Sequence, residues 1–316
     1  MNRVPLKDIK GVIPALVTCF DEKGNYDETR QRNITSNLIG RGVHGLYLTG
    51  STGEGFLMSP EERKKVVADV IDEAGGRVPV IVHVGAIGTK ISIDLARHAE
   101  QTGADAVSSV PPFYWKFSEA QMFNYYRDIS ASISIPMVVY NIALAGAVGF
   151  NFIKSLAKIE GVQGIKYTLS TKFEIMRIKE EIGRDFVVYS GTDEMAMTGL
   201  SFGADGLIGS FYNLIPEVFL DVYAAIQKGD LATAREKQRI ANAIIMFTLD
   251  RGFQVGIKAE MQWMGVDAGW CREPFGQFDK ATEEKYRGEF RQLKKDLGVS
   301  GIPFLDKLEL FNNFSC

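Results

Sequence analysis

Gly103-Ala104-Asp105-Ala106-Val107-Ser108-Ser109-Val110 reads as the end of a helix, a tight turn and the start of a buried strand. The first glycine can close a helix in the left-handed conformation, and the small fourth residue opens an apolar, β-rich run. The same spacing recurs in Gly42-Val43-His44-Gly45, Gly161-Val162-Gln163-Gly164 and Gly203-Ala204-Asp205-Gly206. A turn that repeats in this way argues for one repeated supersecondary unit rather than for separate domains.

Short apolar runs at 12–17, 45–49, 78–84, 106–110, 137–141, 164–167, 186–190 and 206–210 spread outward from these turns. They are nearly continuous in hydrophobicity, as strands covered on both faces should be. Segments of helical period lie between them, with start signals such as Ser59-Pro60-Glu61-Glu62 and Ser118-Glu119-Ala120. Repeated β-then-α units predict an α/β fold, a closed (β/α)8 TIM barrel over residues 1–228. A doubly wound open sheet is the competitor, but Gly50-Ser51-Thr52-Gly53-Glu54-Gly55 is not the G-x-G-x-x-G dinucleotide pattern. Helical segments at 231–247, 254–264 and 282–297 predict a C-terminal helical appendage over residues 229–316, an extension of the same domain. The tail from residue 301 carries Ile302, Phe304, Leu305, Leu310 and Phe311. It either packs on the body or stays partly loose.

Composition narrows the function classes. The 316 residues are 46% hydrophobic and 24% charged, which excludes global disorder. A net charge of -3 offers no basic surface for nucleic acid. Cys19, Cys271 and Cys316 form neither a disulfide framework nor a zinc spacing, which fits a reducing, cytoplasmic setting. The first ten residues carry charges throughout and have no apolar core, so no secretory signal is expected. The charge-free stretch 129–153 is divided by serines, asparagines and Pro136, so no membrane span is expected there either. His44, His83 and His98 do not cluster, which argues against a metal-dependent mechanism.

A barrel places its active site at the carboxyl ends of its strands, which shortens the list of candidates. Lys166 lies inside a strand, where burial would lower its pKa and a neutral amine could attack a ketone. The alternative is a strand-end lysine reaching solvent or an acid. Tyr140 ends an apolar strand and could move protons beside that amine, or be a core tyrosine with a satisfied hydroxyl. Ser51 and Thr52 offer hydroxyls and backbone N–H groups suited to a carboxylate, or simply form a tight turn. Asp193 and Glu194 could accept hydrogen bonds from a polyol, or be a helix N-cap with its first-turn acid. Gly191 and Ser210 end the seventh and eighth strands. Tyr114, with Phe113 and Trp115, forms an aromatic cluster suited to packing.

G-S-T-G-E at 50–54, Y-N at 140–141 and G-I-K-Y-T at 164–168 resemble the pyruvate-dependent class I aldolase superfamily of dihydrodipicolinate synthases and N-acetylneuraminate lyases. The resemblance covers roughly residues 9–297. PPFYWKFS at 111–118, GTDE at 191–194, GADGLIGSFYN at 203–213 and CREPFG at 271–276 are most similar to the lyase branch. The synthase branch carries an arginine shortly after Y-N, where this chain has Ile142-Ala143-Leu144-Ala145. Lyases generally continue Y-N-I-P, so Ala143 is a departure, and the loop 144–151 looks shorter than usual.

The resemblance implies reversible cleavage of N-acetylneuraminate to pyruvate and N-acetylmannosamine. In that reading Lys166 forms the imine and Tyr140 moves the proton. Ser51 and Thr52 hold the carboxylate, and Thr168, Gly191, Asp193, Glu194 and Ser210 bind the sugar chain. Tyr114 sits near a subunit contact of a homotetramer. The imine implies a small-molecule substrate and no metal or other cofactor. Two rivals stay open: an aldolase or dehydratase for another 2-keto acid, such as a 2-keto-3-deoxy sugar acid, and a catalytically silent sugar-acid binding barrel.

Overall fold

The computed structural model describes residues 3–308. Eight parallel strands follow one another around a barrel: β1 (Gly11–Pro14), β2 (Leu46–Leu48), β3 (Val80–His83), β4 (Ala106–Ser109), β5 (Met137–Ile142), β6 (Val162–Thr168), β7 (Val187–Ser190) and β8 (Gly206–Gly209). From β2 onward each strand pairs in parallel with the next, and β8 pairs with β1. The remaining seam, between β1 and β2, is bridged at Ala15 and Tyr47, where the Leu16 N–H donates to the Tyr47 carbonyl at 2.9 Å. Most ladders are shorter than the apolar runs that announced them, and in β1, β2, β3, β4 and β8 the last residues of the run leave the ladder at the barrel mouth. β6 is longer and reaches Thr168, which carries Lys166 well inside it.

Helices α1 (Glu28–Gly40), α2 (Pro60–Ala74), α3 (Thr89–Thr102), α4 (Glu119–Ser130), α5 (Phe150–Leu156), α6 (Phe173–Glu181), α7 (Ala196–Ser201) and α8 (Pro216–Gln227) alternate with the strands. The start signals act as read. Ser59 and Ser118 each form a reciprocal capping box with the residue three positions on, and Pro60 occupies the first turn of α2. The glycines of the recurring turn, Gly42, Gly103, Gly161 and Gly203, all have positive φ. Asp105 and Asp205 add a function that the spacing did not reveal. The Asp105 carboxylate accepts the Val80 N–H at 2.8 Å, and Asp205 accepts the Val188 N–H at 2.8 Å. Each turn therefore grips the start of the preceding strand.

Two apolar layers result. Inside the barrel lie Ile13, Tyr47, Ile81, Val138, Tyr140, Tyr189 and Ile208, floored by Leu6 and Ile9 from the N-terminal segment. The Tyr189 hydroxyl donates to the Ile9 carbonyl at 3.0 Å and fixes that floor. The larger layer fills the space between strands and helices. Beyond the barrel come α9 (Leu231–Leu249), α10 (Phe253–Trp263), α11 (Lys280–Leu297) and α12 (Pro303–Lys307). The tail packs on the body as far as it is described: Ile302, Phe304, Leu305 and Leu308 are buried, and Phe304 meets the Phe290 ring edge-on at 5.0 Å. Leu310, Phe311 and Cys316 lie outside the described residues. No helix among the described residues is long and apolar enough to cross a membrane.

Candidate active site

Lys166 and Tyr140 are direct register partners on β6 and β5, so both side chains enter the barrel at one level. The Lys166 Nζ lies 4.1 Å from the Tyr140 ring centre and 4.5 Å from that of Tyr47. Those two rings meet edge-on at 6.2 Å. Among the described residues, no hydrogen bond or ion pair uses this nitrogen, although Lys166 is buried. Burial brings its pKa down to about 7; Asp193 opposes that shift and Lys172 adds to it. The amine is thus held against two π faces and free of donors' obligations. This excludes the reading of Lys166 as a solvent-seeking strand-end residue.

The other predicted residues gather around it. Burial raises the Tyr140 phenol above its usual range, and the Thr168 and Ser51 hydroxyls beside it pull the other way. Thr168 Oγ1 is buried without a hydrogen bond of good geometry. Thr52 Oγ1 and Ser210 Oγ lie 2.6 Å apart, joining the loop after β2 to the end of β8. Glu194 is half-buried, and among the described residues its carboxylate has neither a hydrogen bond nor an ion pair. Asp193 is deeply buried, and one of its oxygens accepts the Ser210 and Phe211 N–H groups, each at 2.9 Å. It therefore caps the turn after β8 rather than a helix of its own. Its other oxygen is buried and without a hydrogen bond, and burial brings the acid up to about 6.

Gly191 explains its own identity by close approach. A Cβ there would stand 1.9 Å from Thr168 Oγ1 and 3.0 Å from Lys166 Cε. Gly191→Ala is expected to cost about 1–3 kcal/mol, the usual range for forcing extra carbon into packed surroundings. Denaturant unfolding checks this. A midpoint equal to wild type would mean that Thr168 swings aside freely.

Tyr114 stands apart from the cluster. The residue is 84% exposed, its ring meets Trp115 edge-on at 4.8 Å, and its backbone is left-handed with φ 82°. Such a φ is rare for a bulky residue. The loop after β5 is closed by Asn141, whose side chain accepts the Val148 N–H at 2.9 Å and donates to the Val148 carbonyl at 3.1 Å. Ala143 opens a single 3-10 turn within it.

Several residues around the site have roles that the sequence did not reveal. Tyr47 sits inside the apolar triplet of β2 and reads as core, yet it faces Lys166 and donates from its hydroxyl to Ser108 at 3.1 Å. His83 ends β3 buried and edge-on to Tyr140 at 6.0 Å; burial and the nearby cations keep it well below its usual pKa, hence neutral. Glu54, the last residue of G-S-T-G-E, turns away from the barrel mouth. It pairs with Lys258 of α10 at 2.6 Å, fully buried, and accepts the Arg272 N–H at 2.7 Å. Gln254 of α10 donates to the Thr52 carbonyl at 2.8 Å. The C-terminal helices thus hold the loop of Ser51 and Thr52 in place. Only long-range contacts make these roles visible.

The arrangement suits covalent chemistry on a carbonyl compound: a buried amine, a phenol beside it and hydroxyls around the rim. Among the described residues, no group of His, Cys, Asp and Glu could hold a metal ion. The chain as a whole is similar to known proteins. An N-acetylneuraminate lyase from Citrobacter koseri is 39% identical over 295 residues, covering 92% of this chain and 98% of that protein. A Ruminococcus gnavus sialic acid aldolase, solved as a catalytic lysine mutant, superposes with TM-score 0.87 at 32% identity, over 98% of this chain and all of that one. CdNal from Clostridium difficile, solved in complex with mannosamine, gives TM-score 0.87 at 30% identity over 90% of this chain and 99% of that one. The dihydrodipicolinate synthetase family matches residues 8–293, and the chain belongs to that family.

Proposed function

We propose that the protein is a Schiff-base aldolase that reversibly cleaves N-acetylneuraminate to pyruvate and N-acetylmannosamine. The observation that carries this reading is the unbonded Lys166 amine between the Tyr140 and Tyr47 rings, inside the barrel mouth. The likeness to N-acetylneuraminate lyases and sialic acid aldolases supplies the substrate.

Lys166 Nζ adds to the C2 ketone of the open-chain sugar acid, and loss of water leaves an iminium. Ser51 and Thr52 hold the carboxylate. Tyr140 relays the proton of the C4 hydroxyl as the C3–C4 bond breaks: its phenol passes its own proton to the substrate carboxylate beside Ser51 and accepts the C4 proton in turn, while the bond's electrons move to C3 and into the iminium as an enamine. The departing fragment is the aldehyde of N-acetylmannosamine. Protonation at C3 and hydrolysis then release pyruvate and restore the amine. The iminium is the electron sink, so the chain's own lysine supplies what a Lewis acid would otherwise provide. Thr168, Gly191, Asp193, Glu194 and Ser210 line the path of the sugar chain. Tyr114, exposed and left-handed, fits a contact between subunits of a homotetramer. The buried free thiols Cys19 and Cys271 suit work in the cytoplasm.

Substrate choice follows from the acids on the loop after β7. A carboxylate accepts from vicinal hydroxyls and repels a second substrate carboxylate. Ala145 offers no cation to offset that repulsion. Pyruvate release across a panel of 2-keto acids should therefore favour N-acetylneuraminate, with negligible condensation of pyruvate with aspartate semialdehyde. Glu194→Gln should lower kcat/KM for the sugar acid about ten-fold or more, since a hydrogen bond to a charged group is worth roughly 1.5–3 kcal/mol. Imine formation with pyruvate alone should barely change. Equal loss in both steps, or a preference for aspartate semialdehyde, overturns the assignment.

A further inference from the structure

Lys172 is a second buried lysine, and the imine chemistry leaves it without a task. Its position is doubly unfavourable. Burial strips water from its ammonium, and it stands at the N-cap of α6, where the helix dipole is already positive. What holds it is polar: Nζ donates to the Tyr167 carbonyl at 3.1 Å and to Thr192 Oγ1 at 3.1 Å. Tyr167 lies between Lys166 and Thr168 on β6. Thr192 lies between Gly191 and Asp193 after β7. The Tyr167 carbonyl also accepts the Gly191 N–H at 3.0 Å. One ammonium thus joins the two segments that carry the amine and the rim of the sugar path.

The charged neighbours are few. Asp193 and Glu194 favour the charged form of Lys172, and the Tyr167 ring lies 5.9 Å from its Nζ. Lys166 is faced by Asp193 and Lys172, by Tyr140 and Tyr47, and by neutral His83. Burial brings Lys172 down to about 8, against about 7 for Lys166. Of the two lysines, Lys166 is therefore the one that gives up its proton more readily.

We propose that Lys172 is a positioning residue for the reaction: its ammonium fixes the end of β6 against the loop after β7 and sets a positive charge beside the reacting amine. This rests on the imine reading of Lys166. The test is the pH profile of pyruvate trapping by cyanoborohydride in wild type, Lys172→Met, Lys172→Gln and Lys172→Arg. Without the neighbouring charge Lys166 keeps its proton more readily, so the acid limb should move to higher pH in the Met and Gln variants. A move of about half a pH unit means about three-fold less trapping at a fixed pH on that limb. Lys172→Arg retains the charge, and its limb should stay at the wild-type position. In the neutral variants, KM for N-acetylneuraminate should also rise by a larger factor than kcat falls. A folded neutral variant with an unmoved limb overturns the proposal, as does an arginine variant that moves with the others. Failure of both neutral variants to fold overturns it too, making Lys172 a residue of folding alone. If wild type traps nothing on Lys166, the imine reading itself has failed, and the wild-type arm alone shows it.

Discussion

Borohydride reduction in the presence of pyruvate is expected to leave a stable adduct on Lys166, found by peptide mapping, and Lys166→Met should lose turnover on the order of 10⁴-fold or more. The size follows from the state of the amine. With a pKa near 7, about half of the Lys166 side chains are neutral at pH 7, whereas a lysine at its ordinary 10.5 would be neutral in about one molecule in 3,000. The sign is fixed as well: trapping rises with pH through about 7, as the proton leaves, and levels off above it. Lys172 is the rival nucleophile, being buried and shifted in the same direction. Geometry separates the two, since Lys172 is committed to Tyr167 and Thr192 while the Lys166 nitrogen is unbonded. An adduct mapped to Lys172 would transfer the nucleophile's role to it and undo the mechanism.

Tyr140→Phe should lower turnover about 10²–10⁴-fold, the usual worth of a positioned acid–base group. The variant should still form an imine with pyruvate. The ring that lies against the amine remains, and only the hydroxyl beside Ser51 and Thr168 is lost. Carbon–carbon cleavage and imine formation are separate steps, so the split between turnover and trapping is diagnostic. Turnover within about three-fold of wild type lies well outside that range and would remove Tyr140 from the proton transfer.

The legible parts of the molecule were local. The recurring glycine turns announced the barrel because a left-handed glycine closes the turn before β2, β4, β6 and β8. Lys166 and Tyr140 were visible because a polar residue in an apolar strand is conspicuous. Tyr47 was not, since an aromatic ring in such a strand is ordinary. Asp193 was half legible. Its place at the mouth could be read, but its grip on the Ser210 and Phe211 amides depends on how the seventh and eighth strands adjoin. Glu54 was hidden more fully, because its partner lies in a helix outside the barrel. Contacts of that range leave no periodicity for a sequence to display.

The link between Glu54 and the C-terminal segment also sets an order of events during synthesis. The Arg272 N–H that Glu54 accepts is 218 residues downstream, and Lys258 and Gln254 come only slightly earlier. At roughly 5–20 residues per second, a ribosome needs about 10–40 s to make that interval. Throughout it the strands can emerge and pair, yet the loop of Ser51 and Thr52 lacks the hydrogen bond that Gln254 of α10 gives it. A loop made among the first strands thus waits for a helix made after the last of them.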